Sequence, residues 1–142
     1  MEKELNRASK YGDKGLWFRK VYHELLRNRT MTAAVRPGDR SNPKSLNYIL
    51  PGEPVPVRII KVSGNQAAGI PALLEPDEGI TVEITGYIVK SICTLMSQDL
   101  AGCSPDASTR ELVRWHLGLM YDRASFDHAE LVTVWHWRYV EP

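Results

Sequence analysis

The chain has 142 residues, a length that predicts a single domain able to bury a sizeable apolar core. Apolar residues make up 43% and charged residues 25% of the sequence, which excludes disordered, collagen-like and coiled-coil proteins. The sequence contains no apolar run long enough to span a membrane, so no membrane partner is expected. Two cysteines without a secretory signal pattern indicate a reducing cytoplasm rather than a disulfide-rich secreted protein.

The net charge of +1 conceals an uneven distribution along the chain. Residues 1–62 hold 13 lysines and arginines against 6 acidic residues, a balance of +7, whereas residues 63–142 hold 5 against 11, a balance of −6. This split predicts an electropositive face that attracts phosphate. The alternative is that the fold interleaves the two halves and averages the field.

The first elements follow a polar segment, residues 1–14, which we place before a domain covering residues 15–142. Apolar residues recur every four positions from Leu16 to about Asn28 and predict an amphipathic helix. Thr30–Arg36 then predicts a short strand, which ends at Pro37-Gly38, a pair typical of the centre of a type II turn.

The middle of the chain predicts two further strands. A proline-rich loop over residues 41–54 precedes Val55–Val62, where apolar residues alternate and prolines favour an edge position or a strand start. After an excursion over residues 63–79, Ile80–Ile92 predicts a long strand. A glycine in the middle of that strand, Gly86, predicts a bend of the kind that curls sheets.

The last third predicts two helices and a closing strand. Leu95–Leu100 is short and apolar enough for a brief helix, and Ser108 with Glu111 has the spacing of a capping box before a helix that runs to about Tyr121. Residues 129–139 alternate as a final strand. The fold class predicted is α+β, with a small curled β-barrel and flanking helices.

The order and spacing of these elements resemble the ASCH domain, a member of the PUA-like superfamily. Pro51-Gly52-Glu53-Pro54 opening a strand, Glu111-Leu112 opening a helix and a first strand that ends in Arg36 carry the resemblance, which covers roughly residues 16–140. It implies a small β-barrel that binds RNA or a nucleotide-like ligand. Members of the family are associated with hydrolysis of acetylated cytidine and of RNA.

The family signature, Gly-x-Lys-x-x-(Thr/Glu)-x-Arg, is degenerate in this chain. Arg29 stands where the glycine belongs, Met31 where the lysine belongs and Ala34 where Thr or Glu belongs, so only Arg36 matches. Amide hydrolysis needs a base and a donor for the developing oxyanion, and a methionine supplies neither. The sequence therefore favours binding over amidohydrolase activity.

A hydrolase acting on RNA or on a modified nucleoside remains the alternative function. The acidic partner of the family is expected near residues 99–106, where Asp99 and Asp106 are the candidates, and His116 or His136 could act as a base. No cofactor is expected, although a ribonuclease could use a divalent metal. None of the histidines and cysteines has the spacing of a zinc site, so no metal site is predicted.

The predicted binding site consists of arginines around the end of the first helix and the first turn. Guanidinium groups suit phosphates and base edges, and the alternative is a solvated helix end in which Asp39 pairs with one arginine. Trp135 and Trp137 are expected in the core rather than as stacking platforms. The residues predicted to bind RNA or a nucleotide are Arg29, Thr32, Arg36, Arg40, Tyr48 and Lys61, with Thr32 and Tyr48 contacting sugar or base.

Overall fold

The computed structural model describes residues 15–41, 49–64, 68–120 and 126–141 of the chain. Six strands and two α-helices form within these ranges: β1 (Leu16–Arg19), α1 (His23–Arg27), β2 (Ala33–Pro37), β3 (Pro54–Val62), β4 (Leu73–Leu74), β5 (Thr81–Ser91), α2 (Arg110–Met120) and β6 (Leu131–Tyr139). The strands make a mixed sheet in the order β1-β3-β5-β6-β2, with β4 paired to β3. The predicted α+β class is confirmed.

The sheet has two end strands, β1 and β2, which are not paired to each other within the described ranges. The curled barrel therefore stays a prediction. The chain divides into two compact units, of which the first contains the described residues of 15–29, 54–83 and 139–141 and the second those of 30–53 and 84–138. Residues 1–14 lie outside the described residues, and a single domain over 15–142 remains a prediction.

In the first unit, β1 lies parallel to β3, with Phe18 opposite Ile59 and Arg19 opposite Ile60. Alternate side chains are buried, as the two-residue period of a strand requires: Leu16 and Phe18 are buried in β1, whereas Arg19 is exposed. The ring of Phe18 packs edge-on against Tyr22 at a centroid distance of 6.5 Å. These contacts belong to the apolar interior of this unit.

The helix predicted from Leu16 to Asn28 is wrong in its first half. Leu16–Arg19 is a strand, a 3-10 helix follows, and only His23–Arg27 is α-helical. The spacing of Leu16 and Phe18 satisfies a period of two, and pairing with β3 decides the outcome in favour of the strand. Val21, predicted on the buried stripe, is 72% exposed.

In the second unit, β2 runs antiparallel to β6, with Ala34 opposite Trp135 and Arg36 opposite Thr133. One face of these strands meets α2 in an apolar core whose largest contributors are Ile92, Leu95, Leu100, Val113, Leu117, Phe126, Val132 and Val134. Trp135 and Trp137 are 4% and 3% exposed, which agrees with their predicted place in the core. The strands predicted at the end of the chain and before Pro37 are confirmed.

Two local predictions in this unit need correction. Residues 95–100 form a series of turns closed by i to i+3 hydrogen bonds, such as Asp99 N to Met96 O at 2.9 Å, and not a helix. The cap of α2 is Thr109 rather than Ser108, because the Thr109 hydroxyl accepts the Leu112 N–H at 3.1 Å. The Ser108 hydroxyl donates instead to the carbonyl of Pro105.

Neither described α-helix has the length and the apolar character that crossing a bilayer requires.

Arg29 closes α1 in a left-handed backbone conformation. Its φ of 63° is positive, and no other non-glycine residue in the described ranges shares this property. Its N–H bonds the Leu26 carbonyl at 3.3 Å, so the residue occupies the turn that ends the helix. Side chains with a Cβ are disfavoured in this region by roughly 1 kcal/mol or more, whereas glycine enters it freely. The resemblance places the motif glycine at this position.

The backbone of residue 29 predicts an inverted order of stability for two substitutions. Both Arg29→Gly and Arg29→Ala remove the side chain, but only the glycine variant relieves the left-handed strain. We expect R29G to unfold at a higher urea concentration than R29A, the reverse of the usual order in and around helices. Urea titrations followed by circular dichroism measure this, and R29A equal to or more stable than R29G would contradict the conformation.

Candidate functional site

A buried threonine anchors the turn that follows β2. The Thr133 hydroxyl, on β6, donates to the Gly38 carbonyl at 2.7 Å and accepts the Arg40 N–H at 2.8 Å. The Gly38 N–H in turn bonds the Leu131 carbonyl at 2.8 Å. Gly38 has a φ of 79°, as the predicted Pro37-Gly38 turn requires. We call residues 36–40, held in this way, the arginine turn.

The two guanidinium groups of the arginine turn are each oriented by the protein. Arg36 Nη1 donates to the Val35 carbonyl at 3.1 Å, and its Cζ lies 5.7 Å from the ring centroid of Trp135. Arg40 Nε donates to the Pro37 carbonyl at 3.1 Å. Both arginines are half-buried. Orientation by backbone carbonyls reduces the entropy that a guanidinium loses when it binds an anion.

Asp39 lies within the arginine turn and pairs with a serine. Its Oδ1 accepts the N–H of Ser41 at 2.9 Å and the hydroxyl of Ser41 at 2.6 Å. The hydroxyl bond, followed by the backbone bond, lowers the pKa of Asp39. The carboxylate is therefore used to shape the loop.

An aromatic pair lies beside Arg36 in the second unit. Tyr87 meets Trp135 edge-on, with ring centroids 6.1 Å apart, and its hydroxyl bonds the backbone of Ile49. The indole Nε1 of Trp135 is buried and has no hydrogen-bond partner in the described part of the chain. A buried indole N–H normally has an acceptor. The Trp135 N–H is therefore a donor that requires an acceptor next to the arginine turn.

Thr32 is fixed to the loop that carries Gly102. Its N–H donates to the Gly102 carbonyl at 2.8 Å, and its own carbonyl accepts the Trp137 N–H at 2.9 Å. Gly102 has a φ of 87°, and a Cβ built there would lie 2.1 Å from the Thr32 hydroxyl oxygen. Position 102 therefore requires glycine both for its conformation and for the space that Thr32 occupies.

The remaining predicted site residues belong to the first unit or lie outside the described ranges. Arg29 pairs with Glu141, and its Cζ lies 5.7 Å from the ring centroid of Tyr139. The bond from Arg29 lowers the pKa of Glu141. Lys61 is exposed at the end of β3. Tyr48 falls among residues 42–48, which the structure does not describe.

A polar cluster lies in the second unit, and the sequence predicted only some of its members. Asp99 is buried, and its Oδ2 accepts the Lys90 ammonium and the Met96 N–H, each at 2.8 Å. The Lys90 bond, then the Met96 bond and the charge of His136, lower the pKa of Asp99 against the opposing effect of burial. His136 Nε2 is buried without a partner in the described residues. Asp99 and His136 were candidates, whereas nothing in the sequence pointed to Lys90.

The other candidate acid and base pair with each other. His116 Nδ1 lies 3.3 Å from Asp106 Oδ2, and the Ser104 hydroxyl donates to the same carboxyl group. Nearby Cys103 is no nucleophile at neutral pH, because burial raises the pKa of its thiol to about 12. Cys93 and Cys103 are both free thiols. Within the described ranges, no three or more His, Cys, Asp or Glu side chains are placed to hold a metal ion.

Comparison with solved structures identifies the fold. A crystal structure of an ASCH domain from Lactobacillus crispatus JV V101 aligns with 97% of this chain and 87% of that chain, with a TM-score of 0.50 and 12% identity. The chain has the fold of an ASCH domain. A crystal structure of an Enterococcus faecalis V583 protein assigned to the DUF984 family aligns with 99% of this chain and 94% of that chain, with a TM-score of 0.54 and 11% identity. No family model and no curated protein matches the sequence.

Removal of the Thr133 hydroxyl tests the arginine turn. Thr133→Val keeps the shape of the side chain but leaves the Gly38 carbonyl and the Arg40 N–H without their partner. We expect a loss of about 1–3 kcal/mol in the free energy of unfolding, the usual cost of unsatisfied buried polar groups. Urea titration measures this, with the exposed Thr85→Val as control. Equal stabilities of the two variants would contradict the role of the hydroxyl.

The lowered pKa of Asp99 predicts a pH-dependent contribution to stability. Because the folded pKa lies below the unfolded value of about 3.9, ionised Asp99 stabilises the fold above that pH, and the contribution disappears as the pH falls through the folded pKa. We expect Asp99→Asn to cost about 1–3 kcal/mol at neutral pH.

Below about pH 4, the unfolding free energies of wild type and D99N are expected to converge. Urea titrations across the acidic range measure this, with Glu111→Gln as an exposed control. A constant difference between wild type and D99N at every pH would contradict the assignment.

Proposed function

We propose that this chain is an RNA- or nucleotide-binding ASCH/PUA-like domain whose arginine-lined cleft is formed by the arginine turn. The observation that carries the proposal is the presence of Arg36 and Arg40 on one turn, whose backbone is held at Gly38 and Arg40 by the buried Thr133 hydroxyl. The curled barrel and a cytoplasmic location belong to the same proposal, and a reducing compartment suits the two free thiols.

The chemistry of the arginine turn suits a phosphate group. A guanidinium has five N–H donors, and the bond to the Pro37 carbonyl uses only the one on Nε of Arg40. The terminal amino groups of Arg40 are then positioned for a bidentate contact with a phosphate. Thr32, which precedes β2, has a hydroxyl of the kind that bonds a ribose or a base edge, and that hydroxyl lies against Gly102.

The aromatic residues contribute rigidity rather than stacking. Trp135 and Trp137 are too deeply buried to present a ring face to a base. Trp135 instead lies under the Arg36 guanidinium and limits where it can point. In this proposal, Thr32 contacts the base, as does Tyr48, which the sequence predicts as a binding residue.

Hydrolysis of RNA or of a modified nucleoside is the second candidate function, favoured by one observation. His136 has a buried Nε2 atom with no hydrogen-bond partner among the described residues, in the polar cluster with Asp99 and Lys90, and histidine is the most frequent general acid or base in enzymes. Incubation of the purified protein with RNA and with acetylated cytidine, with and without divalent metal, tests it. Turnover that His136→Ala abolishes would support this function, and no turnover in any condition would exclude it.

Substitution of Arg36 tests the binding proposal. We expect Arg36→Gln to bind single-stranded RNA roughly fivefold more weakly at about 0.1 M salt, with the salt slope reduced by about 0.7, the value for one phosphate contact on a single strand. Arg138→Gln, which removes one exposed positive charge elsewhere, is the matched control. Fluorescence anisotropy with labelled RNA across a salt series measures both, and identical slopes for R36Q and wild type would refute the assignment.

A further inference from the structure

A second group of cations comes together in the first unit, where β1 lies beside the end of β3. The register pairs Arg19, the last residue of β1, with Ile60, the residue that precedes Lys61 near the end of β3, and both Arg19 and Lys61 are exposed. These residues line a cavity of about 250 Å³ together with Lys20, Val21 and Ser63. We call this cavity the Arg19 groove.

The Arg19 groove carries positive charge with little compensation. Of the six described residues that line it, three are cations and none is acidic. Lys20 is 3.7 Å from Glu75 and remains 70% exposed, so this pair is weak and mostly solvated. In the described part of the chain, Arg19 and Lys61 have no acidic partner. Three cations of the first unit therefore come together here, with Glu75 as a weak partner of Lys20.

The other lining residues restrict what the groove can recognise. Ser63 supplies one hydroxyl, and the remaining surface is apolar, from the half-buried Ile60 and the 72% exposed Val21. The described residues that line the groove include no aromatic ring that could stack on a base and no side-chain amide or carboxylate that could bond the edge of adenine or cytosine. Cations and a hydroxyl bind phosphate, and short aliphatic side chains contact ribose.

We propose that the Arg19 groove is a phosphate-backbone binding site for single-stranded RNA, with Arg19 and Lys61 as the main phosphate ligands. The inference rests on the proposed function and extends it to a second surface, which binds RNA without recognising its base sequence. Contacts to phosphate carry no base information, so this site contributes affinity and salt dependence. Sequence preference, where present, belongs to contacts made elsewhere.

Removal of the two cations tests the site. We expect Arg19→Gln/Lys61→Gln to lower the salt slope of RNA binding by about 1.4, the value for two lost contacts, and to weaken binding roughly 25-fold at about 0.1 M salt. The loss should be the same for U-rich, C-rich and A-rich oligonucleotides. Arg110→Gln/Arg138→Gln removes two exposed cations elsewhere and matches the change in net charge. It should retain most of the affinity.

One further double variant and a stability measurement make the outcome decisive. Arg19→Lys/Lys61→Arg keeps both charges and should bind like wild type, and thermal unfolding checks that the exposed substitutions leave the fold intact. Equal weakening by R19Q/K61Q and by R110Q/R138Q would overturn the Arg19 groove while R36Q still tests the arginine turn. A loss that depends on base composition would overturn backbone recognition. Failure of the wild type to bind any RNA would overturn the proposed function together with this site.

Discussion

One buried hydroxyl determines the geometry on which the proposed RNA-binding cleft depends. Thr133 lies on β6 with no exposed surface, and a hydroxyl in that position must find both a donor and an acceptor. It finds them in the backbone of Gly38 and Arg40. The turn is thereby tied to a strand inside the core, and the cost of leaving the hydroxyl unsatisfied keeps the arginines in place.

Some cations from the basic first half of the sequence pair with acidic residues from the second half. In the first unit, Lys20, Arg27 and Arg29 are near Glu75, Glu78 and Glu141, all of which come from the acidic part of the chain. Glu78 also accepts a bond from His23 at 2.7 Å. The bonds from Arg27 and His23 lower the pKa of Glu78. The two halves of the sequence are interleaved at these positions, as the alternative reading anticipated.

The cations proposed to bind RNA are positioned in two other ways. Arg36 and Arg40 donate to backbone carbonyls, which carry no formal charge. Arg19 and Lys61 extend into solvent beside apolar side chains. A protein of near-neutral net charge can thus keep local positive potential for a polyanion without a large basic excess.

An element can be predicted from the sequence when the interactions that form it join residues close together in the chain. Long strands with clear alternation, such as β3, β5 and β6, were predictable because their pattern is local. β1 was not, because four residues with helix-compatible spacing become a strand only through pairing with β3, about forty residues later. The Arg19 groove follows from that pairing, so sequence reasoning identified Lys61 and missed Arg19. Lys90 was missed for the same reason, since only the turn over residues 96–99 brings Asp99 to it.

Position 31 bears on the choice between binding and catalysis. The resemblance to ASCH domains would place a lysine here, and the Met31 side chain of this chain is only 3% exposed. Other groups that could activate water are already engaged or protonated: the Lys90 ammonium donates to Asp99, His116 is bonded to Asp106, and the Cys103 thiol has a pKa near 12. Binding requires only donors held in fixed directions, which Arg36 and Arg40 supply, whereas hydrolysis also requires a base whose lone pair reaches the substrate. The Nε2 atom of His136 has no hydrogen-bond partner among the described residues, but it is buried. The arrangement therefore satisfies the requirements of recognition more completely than those of catalysis.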